Sequence, residues 1–213
     1  MFKRVCQQPE GIMNPVRFPK SQRVPQIISI LLHPFIMVML TFGIILFSGQ
    51  PVSGWIWIYF GIIFIAAVFL PFIQVVWMKK KGKTASLDVP ERNRRFKPFI
   101  QGVLNYFLAL VVLWMFEAPK PVLVLMWAYL FNTLIAVIIT YYWKISVHGM
   151  AIGGPVACLG YLISPQIYWF LFLLPLITYS RVSLKAHTPM QVITGFLLGF
   201  VLTFIQFKMM MPL

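Results

Sequence analysis

Acids are almost missing from this chain. Its 213 residues include four carboxylates, Glu10, Asp88, Glu91 and Glu117, against 18 Lys and Arg. A two-metal phosphatase centre needs several carboxylates or histidines converging on one point. Four scattered acids and three histidines do not supply one, and a paired-carboxylate hydrolase fails on the same count. Cysteine is scarce too. Cys6 and Cys158 lie in an N-terminal arm and an apolar run, and form neither a disulfide framework nor a metal-ligand set. The arm itself is basic and proline-containing, unlike a cleavable signal peptide, so the first apolar run is expected to be retained. No repeat or low-complexity linker is present. An enzyme built from this sequence is therefore expected to work with histidine and arginine, without metal or other cofactor.

Apolar residues make up 60% of the chain and the mean hydropathy is +0.85, the composition of an integral membrane protein. The net charge of +14 would suggest nucleic acid in a soluble chain. Here the basic residues flank apolar runs, which is the pattern of membrane topology, and no nucleic-acid partner is expected. The division is a basic arm at 1–23 and a transmembrane domain at 24–213. Spans of about 20 apolar residues are predicted at 24–48, 55–78, 99–116 and 122–143. His33-Pro34 is read as a kink in the first. From Ile145 to Ser180 there are 36 residues without Lys, Arg, Asp or Glu. As one helix they would run about 54 Å against a core of about 30 Å, so the run must reverse. Ser164-Pro165-Gln166 is the expected turn, giving spans near 149–163 and 167–179, and a seventh at 188–207. The fold class is an all-α polytopic bundle of about seven helices.

Seven spans bring the segments 79–98, 144–148 and 180–187 to the same side as the N-terminal arm. That side collects 16 of the 18 Lys and Arg, with Lys120 and Lys208 opposite. Without the six that a phosphate site would hold (Arg92, Arg94, Arg95, Lys97, Arg181 and Lys185), the bias is still ten to two. The positive-inside rule then puts this side in the cytoplasm. The expected location is the inner membrane of a bacterium.

The three converging segments carry a chemical constellation. The first holds Arg92, Arg94, Arg95 and Lys97. The second reads Lys144-Ile145-Ser146-Val147-His148-Gly149. The third, Ser180 to Gln191, holds Arg181 and His187. A guanidinium grips phosphate with a fixed fork of donors, and an imidazole attacks phosphorus or moves a proton. Ionisable groups at a membrane boundary are costly and usually purposeful. Gln191 also fits a capping box with Thr188 at N-cap and Pro189 at N1, so helix capping and a role toward His187 are both open. Lys79 to Lys83 is read as a topology anchor. Asn105, Glu117 and Asn132 are read as helix contacts.

These residues resemble the motifs of the type-2 phosphatidic acid phosphatase superfamily, which includes the vanadium haloperoxidases. Ser180, Arg181 and His187 match its Ser-Arg-x5-His-x3-Asp, with Gln191 replacing the Asp. Ser146 and His148 match its Pro-Ser-Gly-His, while Ile145 and Val147 depart from it. Lys97-Pro98 stands where the first motif, Lys-x6-Arg-Pro, ends, and Arg92 and Arg95 are the substitutes. The resemblance covers residues 79–191. It implies a six-helix phosphatase-type core, with His187 as nucleophile forming a phosphohistidine and His148 as general acid, then base. It also implies Arg181, Arg92 and Arg95 on the phosphoryl oxygens, with Ser146 and backbone N–H groups near Gly149 beside them. Gln191 would orient His187 in place of the carboxylate, which it can do as an acceptor but without charge.

The expected function is metal-independent dephosphorylation of a membrane lipid phosphate or diphosphate. The alternatives are a non-catalytic relative that binds or transports a lipid phosphate, and a phosphotransferase in which a lipid replaces water. The lipid and the oligomeric state are left open.

Overall fold

The computed structural model describes residues 22–48, 53–82 and 92–212, with the backbone alone at 92–95. Most of the basic arm, the turn at 49–52 and the polar stretch 83–91 fall outside them. Every regular element among the described residues is a helix. Five helical runs are long and apolar enough to cross a bilayer: Arg23–Ser48, Gly54–Lys80, Phe96–Met115, Lys120–Tyr142 and Pro189–Met210. The chain is a multi-pass, all-α membrane protein.

The first run is two helices, α1 (Arg23–Leu31) and α2 (Pro34–Ser48). Pro34 has no N–H and suits the first position of a helix. His33 serves as the cap of α2, its Nδ1 accepting from the Phe35 N–H at 3.2 Å. The second run comprises α3 (Gly54–Phe64), a π-helical turn at Ile65–Phe69 and α4 (Leu70–Lys80), with Pro71 just beyond the turn. α5 (Arg92–Met115) and α6 (Lys120–Tyr142) form a hairpin, closed at Glu117 in the left-handed region with φ 54°. The predicted start of α5 at Phe99 is corrected to Arg92. Pro98 does not end this helix but lies inside it.

α7 (Val147–Leu162) has 16 residues, about 24 Å of helix. The predicted helix at 167–179 is in fact two pieces, a 3-10 stretch at Pro165–Phe172 and α8 (Leu173–Ser183). Pro175 explains the division. It cannot donate to a carbonyl four residues back, so the α-helix starts with it in the first turn. Together the pieces extend about 32 Å. α9 (Pro189–Met210) completes the chain.

α7 and α9 run parallel in intimate contact. Glycines spaced by four sit at the seam, Gly149 and Gly153 on one helix, Gly195 and Gly199 on the other. A Cβ on Gly149 would strike the Val192 carbonyl, on Gly153 that of Phe196, on Gly195 that of Ser146, and on Gly199 that of Met150. This is small-residue packing of backbone on backbone. Because α7 and α9 point the same way, the segment 165–183 must return the chain to the end where α7 began. The other half packs apolar side chains around Phe42, Ile63, Leu113, Leu125 and Met126, all fully buried.

Gly195→Val is predicted to disrupt the seam, since backbone rather than a flexible side chain meets the new atoms. The expected loss is about 3 kcal/mol or more, read as a lowered thermal midpoint in detergent. An unchanged midpoint would refute the close approach.

Candidate active site

The end of α8 sets the spacing of Arg181 and His187. Lys185 adopts φ 53°, the left-handed residue that closes a Schellman turn. Ala186 N–H donates to the Arg181 carbonyl at 3.0 Å and Lys185 N–H to the Val182 carbonyl at 2.9 Å, the two bonds of that motif; His187 N–H reaches the Arg181 carbonyl at 3.3 Å. One carbonyl thus holds the loop that presents His187 to the helix that presents Arg181. Lys144 Nζ donates to the Ala186 carbonyl at 2.6 Å and ties in the segment before α7.

His187 is 7% exposed. Gln191 Oε1 lies 3.2 Å from its Nδ1 and 3.1 Å from the Thr188 N–H. The backbone N–H can only donate, which identifies the shared atom as the carbonyl oxygen of the amide. An oxygen acceptor in turn requires a proton on Nδ1. The lone pair of the neutral ring is therefore on Nε2. Gln191 N–H meanwhile bonds Thr188 Oγ1 at 3.4 Å, completing the capping box. Gln191 thus completes the capping box of α9 with the same side-chain oxygen that contacts His187.

Arg181 is 1% exposed, and its Nη1 donates to Ser29 Oγ at 2.7 Å. Ser29 Oγ lies 3.4 Å from His148 Nε2. Since the guanidinium only donates, the Ser29 oxygen accepts there and its own proton is available to His148. Ser180 Oγ donates to the Pro25 carbonyl at 2.6 Å, pinning α1 to α8. His33 packs edge-on against His148, ring centroids 5.4 Å apart at 88°.

His148 opens α7. Ser146 is its N-cap, Oγ accepting from the Gly149 N–H at 3.4 Å, and Ser146 N–H donates to the Gln191 carbonyl at 3.1 Å. Ser146 is fully buried and Gly149 faces the α9 backbone. These two residues, expected on phosphate, serve here as a cap and a packing contact. They thereby fix the first turn of α7 against that of α9. The side chains of Arg92 and Arg95 lie outside the described residues.

His33, His148, Arg181 and His187 line one end of a cavity of about 220 Å³ that continues between the two halves of the bundle. Its far end is polar. Asn132 Nδ2 donates to Thr203 Oγ1 at 2.9 Å and Gln206 Nε2 to Asn132 Oδ1 at 3.0 Å. The Tyr129 hydroxyl beside them is buried and has no partner among the described residues. Among the same residues, no three His, Cys, Asp or Glu side chains are grouped to hold a metal ion. Ser29 was not expected from the sequence, and His33 was expected only as a kink. They stand four apart in sequence, but α1 ends at Leu31 and His33 caps the next helix, so no helical periodicity joins them and the run shows only a span.

Comparison with family models, curated proteins and solved structures returned no match. Ser29→Ala is predicted to lower stability by about 1.5–3 kcal/mol, the worth of a hydrogen bond to a charged group, as measured by thermal unfolding in detergent. An unaltered midpoint would mean Ser29 does not hold Arg181.

Proposed function

We propose that the protein hydrolyses the phosphate of a membrane lipid through a phosphohistidine on His187. The observation that carries this reading is the shared Gln191 oxygen, which fixes the His187 tautomer with a nucleophilic nitrogen, Nε2. The buried Arg181 and His148 lining the same cavity support it. Burying a guanidinium costs several kcal/mol, and binding an anion is one use for that cost.

In this reading the phosphoryl group sits against Arg181, whose planar fork matches two of its oxygens. His187 Nε2 attacks phosphorus, forming P–N as the P–O bond to the lipid breaks. His148, protonated, gives its proton to the departing oxygen. Water then attacks phosphorus while His148 takes its proton, and P–N breaks to release inorganic phosphate and the starting His187. Gln191 accepts a hydrogen bond from Nδ1–H throughout but offers no charge, so it stabilises the phosphoimidazolium less than a carboxylate would. The acid-poor sequence favours this course over metal-assisted attack. The fold in this proposal is the type-2 phosphatidic acid phosphatase-like core, with seven crossings, α7 and the 165–183 segment included. A lipid acceptor in place of water would make the protein a phosphotransferase.

His187→Ala and His148→Ala are each expected to abolish phosphate release from lipid phosphates while the thermal midpoint is kept. Arg181→Lys is expected to be severely impaired. Gln191→Ala should lose turnover beyond its capping cost of about 1–2 kcal/mol, and Gln191→Asp should keep or raise turnover. Full turnover in His187→Ala, or loss of wild-type turnover in EDTA, would overturn the mechanism. Phosphate release from no lipid at all would favour the binding or transport alternative.

In this reading the site faces the cytoplasm from a bacterial inner membrane, which the charge bias supports. Single cysteines at Ser86 and Ser53, with Cys6 and Cys158 replaced, test this. An impermeant thiol reagent should label intact cells at Ser53 only, with any outer membrane permeabilised. Labelling at Ser86 instead would put the site outside and make the basic residues a record of substrate binding.

A further inference from the structure

The cavity below the histidines has features that the hydrolysis of a phosphate does not require. Its walls are apolar, and four of the lining residues are prolines: Pro34, Pro71, Pro98 and Pro155. Each comes from a different helical run, and Pro98 and Pro155 lie inside their helices, where each lacks the N–H that would complete the ladder. Pro71 also follows the π-helical turn, another place where a helix departs from a straight rod. The prolines are joined by small residues, among them Gly102 and Ala128. The void is thus built by residues that keep helices from closing.

We propose that this cavity seats a single hydrocarbon chain of the phosphate-bearing lipid, so that the substrate is a single-chain lipid phosphate rather than a two-chain one. This inference rests on the lipid phosphatase reading for its chemistry. An apolar cavity of about 150 Å³ accommodates benzene, so about 220 Å³ has room for roughly nine carbons in all. That is one chain segment, not two side by side. Continuity supplies the orientation, because His148, Arg181 and His187 line one end of the same cavity whose walls are apolar. The floor supplies the limit. A methyl end driven onto the Tyr129 hydroxyl and the Asn132–Thr203 pair would cover polar groups without bonding them, which is unfavourable. Longer chains must leave sideways between helices. Acyl and prenyl chains share this chemistry.

The test is a series of n-alkyl phosphates from four to sixteen carbons, used below their aggregation limits. With the wild type, kcat/KM for phosphate release should rise by about fourfold per methylene and level off at roughly nine carbons. Rates that ignore chain length, or rise through sixteen carbons without levelling, would overturn the seat. Oleoyl glycerol 3-phosphate and farnesyl phosphate should each exceed dioleoyl phosphatidate by tenfold or more, and the better of the two identifies acyl or prenyl. Phosphatidate equal to both would overturn the single-chain claim.

Gly102→Leu narrows the seat. A Cβ there meets only Thr133 and Tyr106 side-chain atoms, both at 3.9 Å, so the backbone need not move. The levelling point should shift to shorter chains, since a misfit of one methylene in an apolar pocket is worth roughly 10–200-fold. A merely misfolded variant would lower every rate alike without moving that point, and an unmoved point with butyl phosphate still cleaved would refute the seat. Failure of the phosphatase reading looks different: no phosphate is released from any substrate. The same series then serves as a binding probe through heat protection of the wild type, where protection must again rise to roughly nine carbons. Flat protection would sink the seat on its own account.

Discussion

Two backbones touch where α7 meets α9, and the geometry of the site follows from that contact. Side chains flex by rotamer hops, so a site hung from side-chain packing inherits their freedom. A seam in which carbonyls meet bare Cα atoms has none to give. Gly149 and Gly195 make that seam at the level of the histidines, and the Ser146 N–H bond to the Gln191 carbonyl locks the two first turns together. His148 is on one of those turns. His187 precedes the other and is held to it by Gln191. The relative position of the two imidazoles is thus set by main chain, with one amide side chain completing the link. The proposed division of work, attack by one imidazole and proton transfer by the other, would need that rigidity, since misplacement by about 1 Å can cost roughly 10²-fold.

The parallel course of α7 and α9 explains why the segment between them is irregular. Nineteen residues have to traverse the bundle and deliver Arg181 and His187 back at the starting end. An α-helix of that length extends only about 28 Å. Drawing the first eight residues into the longer rise of a 3-10 helix recovers about 4 Å. Pro165 opens the tighter stretch and Pro175 follows it in the first turn of α8, and neither has an amide proton to lose. The Schellman turn at Lys185 then does the aiming. A lysine in the left-handed region costs about 1–2 kcal/mol relative to a relaxed backbone, and the return is a fixed interval from Arg181 to His187.

Much of this was legible beforehand, and what was not has physical reasons. The apolar runs, the reversal at Ser164-Pro165 and the gathering of residues 144–148 and 180–187 follow from length and charge, because a bilayer imposes its thickness on any sequence. The capping box of Thr188 and Gln191 is local, so its sequence signature sufficed. The start of α5 was hidden by charge: Arg92, Arg94, Arg95 and Lys97 read as a polar stretch, yet the helix runs from Arg92 on through Pro98. Inside a membrane bundle, neighbouring helices can tolerate a proline that would end a soluble helix. Gly149 carries a packing role that its place beside a histidine does not reveal: its N–H bonds Ser146 and its bare Cα meets α9. The recurrence of glycine at 149, 153, 195 and 199 was the available sign, and it reports a pair of helices, which neither helix reveals alone.

Ser29 shows the limit of motif reasoning more sharply. It lies 152 residues from Arg181 in sequence and 2.7 Å from it in space, in a run whose composition indicates only a span. Nothing in its neighbours marks it as part of a polar network. Only packing α1 against α8 does so, through Ser180 on Pro25 as well as Arg181 on Ser29. The break at His33 belongs to the same arrangement. By ending α1 it frees α2 to take its own direction, and the capping imidazole is left against His148. The first run therefore contributes two polar groups to a site whose remaining described parts all come from the last third of the chain. A buried guanidinium and imidazole need polar contacts that their own segment does not provide. The N-terminal run supplies some of them, which makes the opening helix part of the site rather than an anchor beside it.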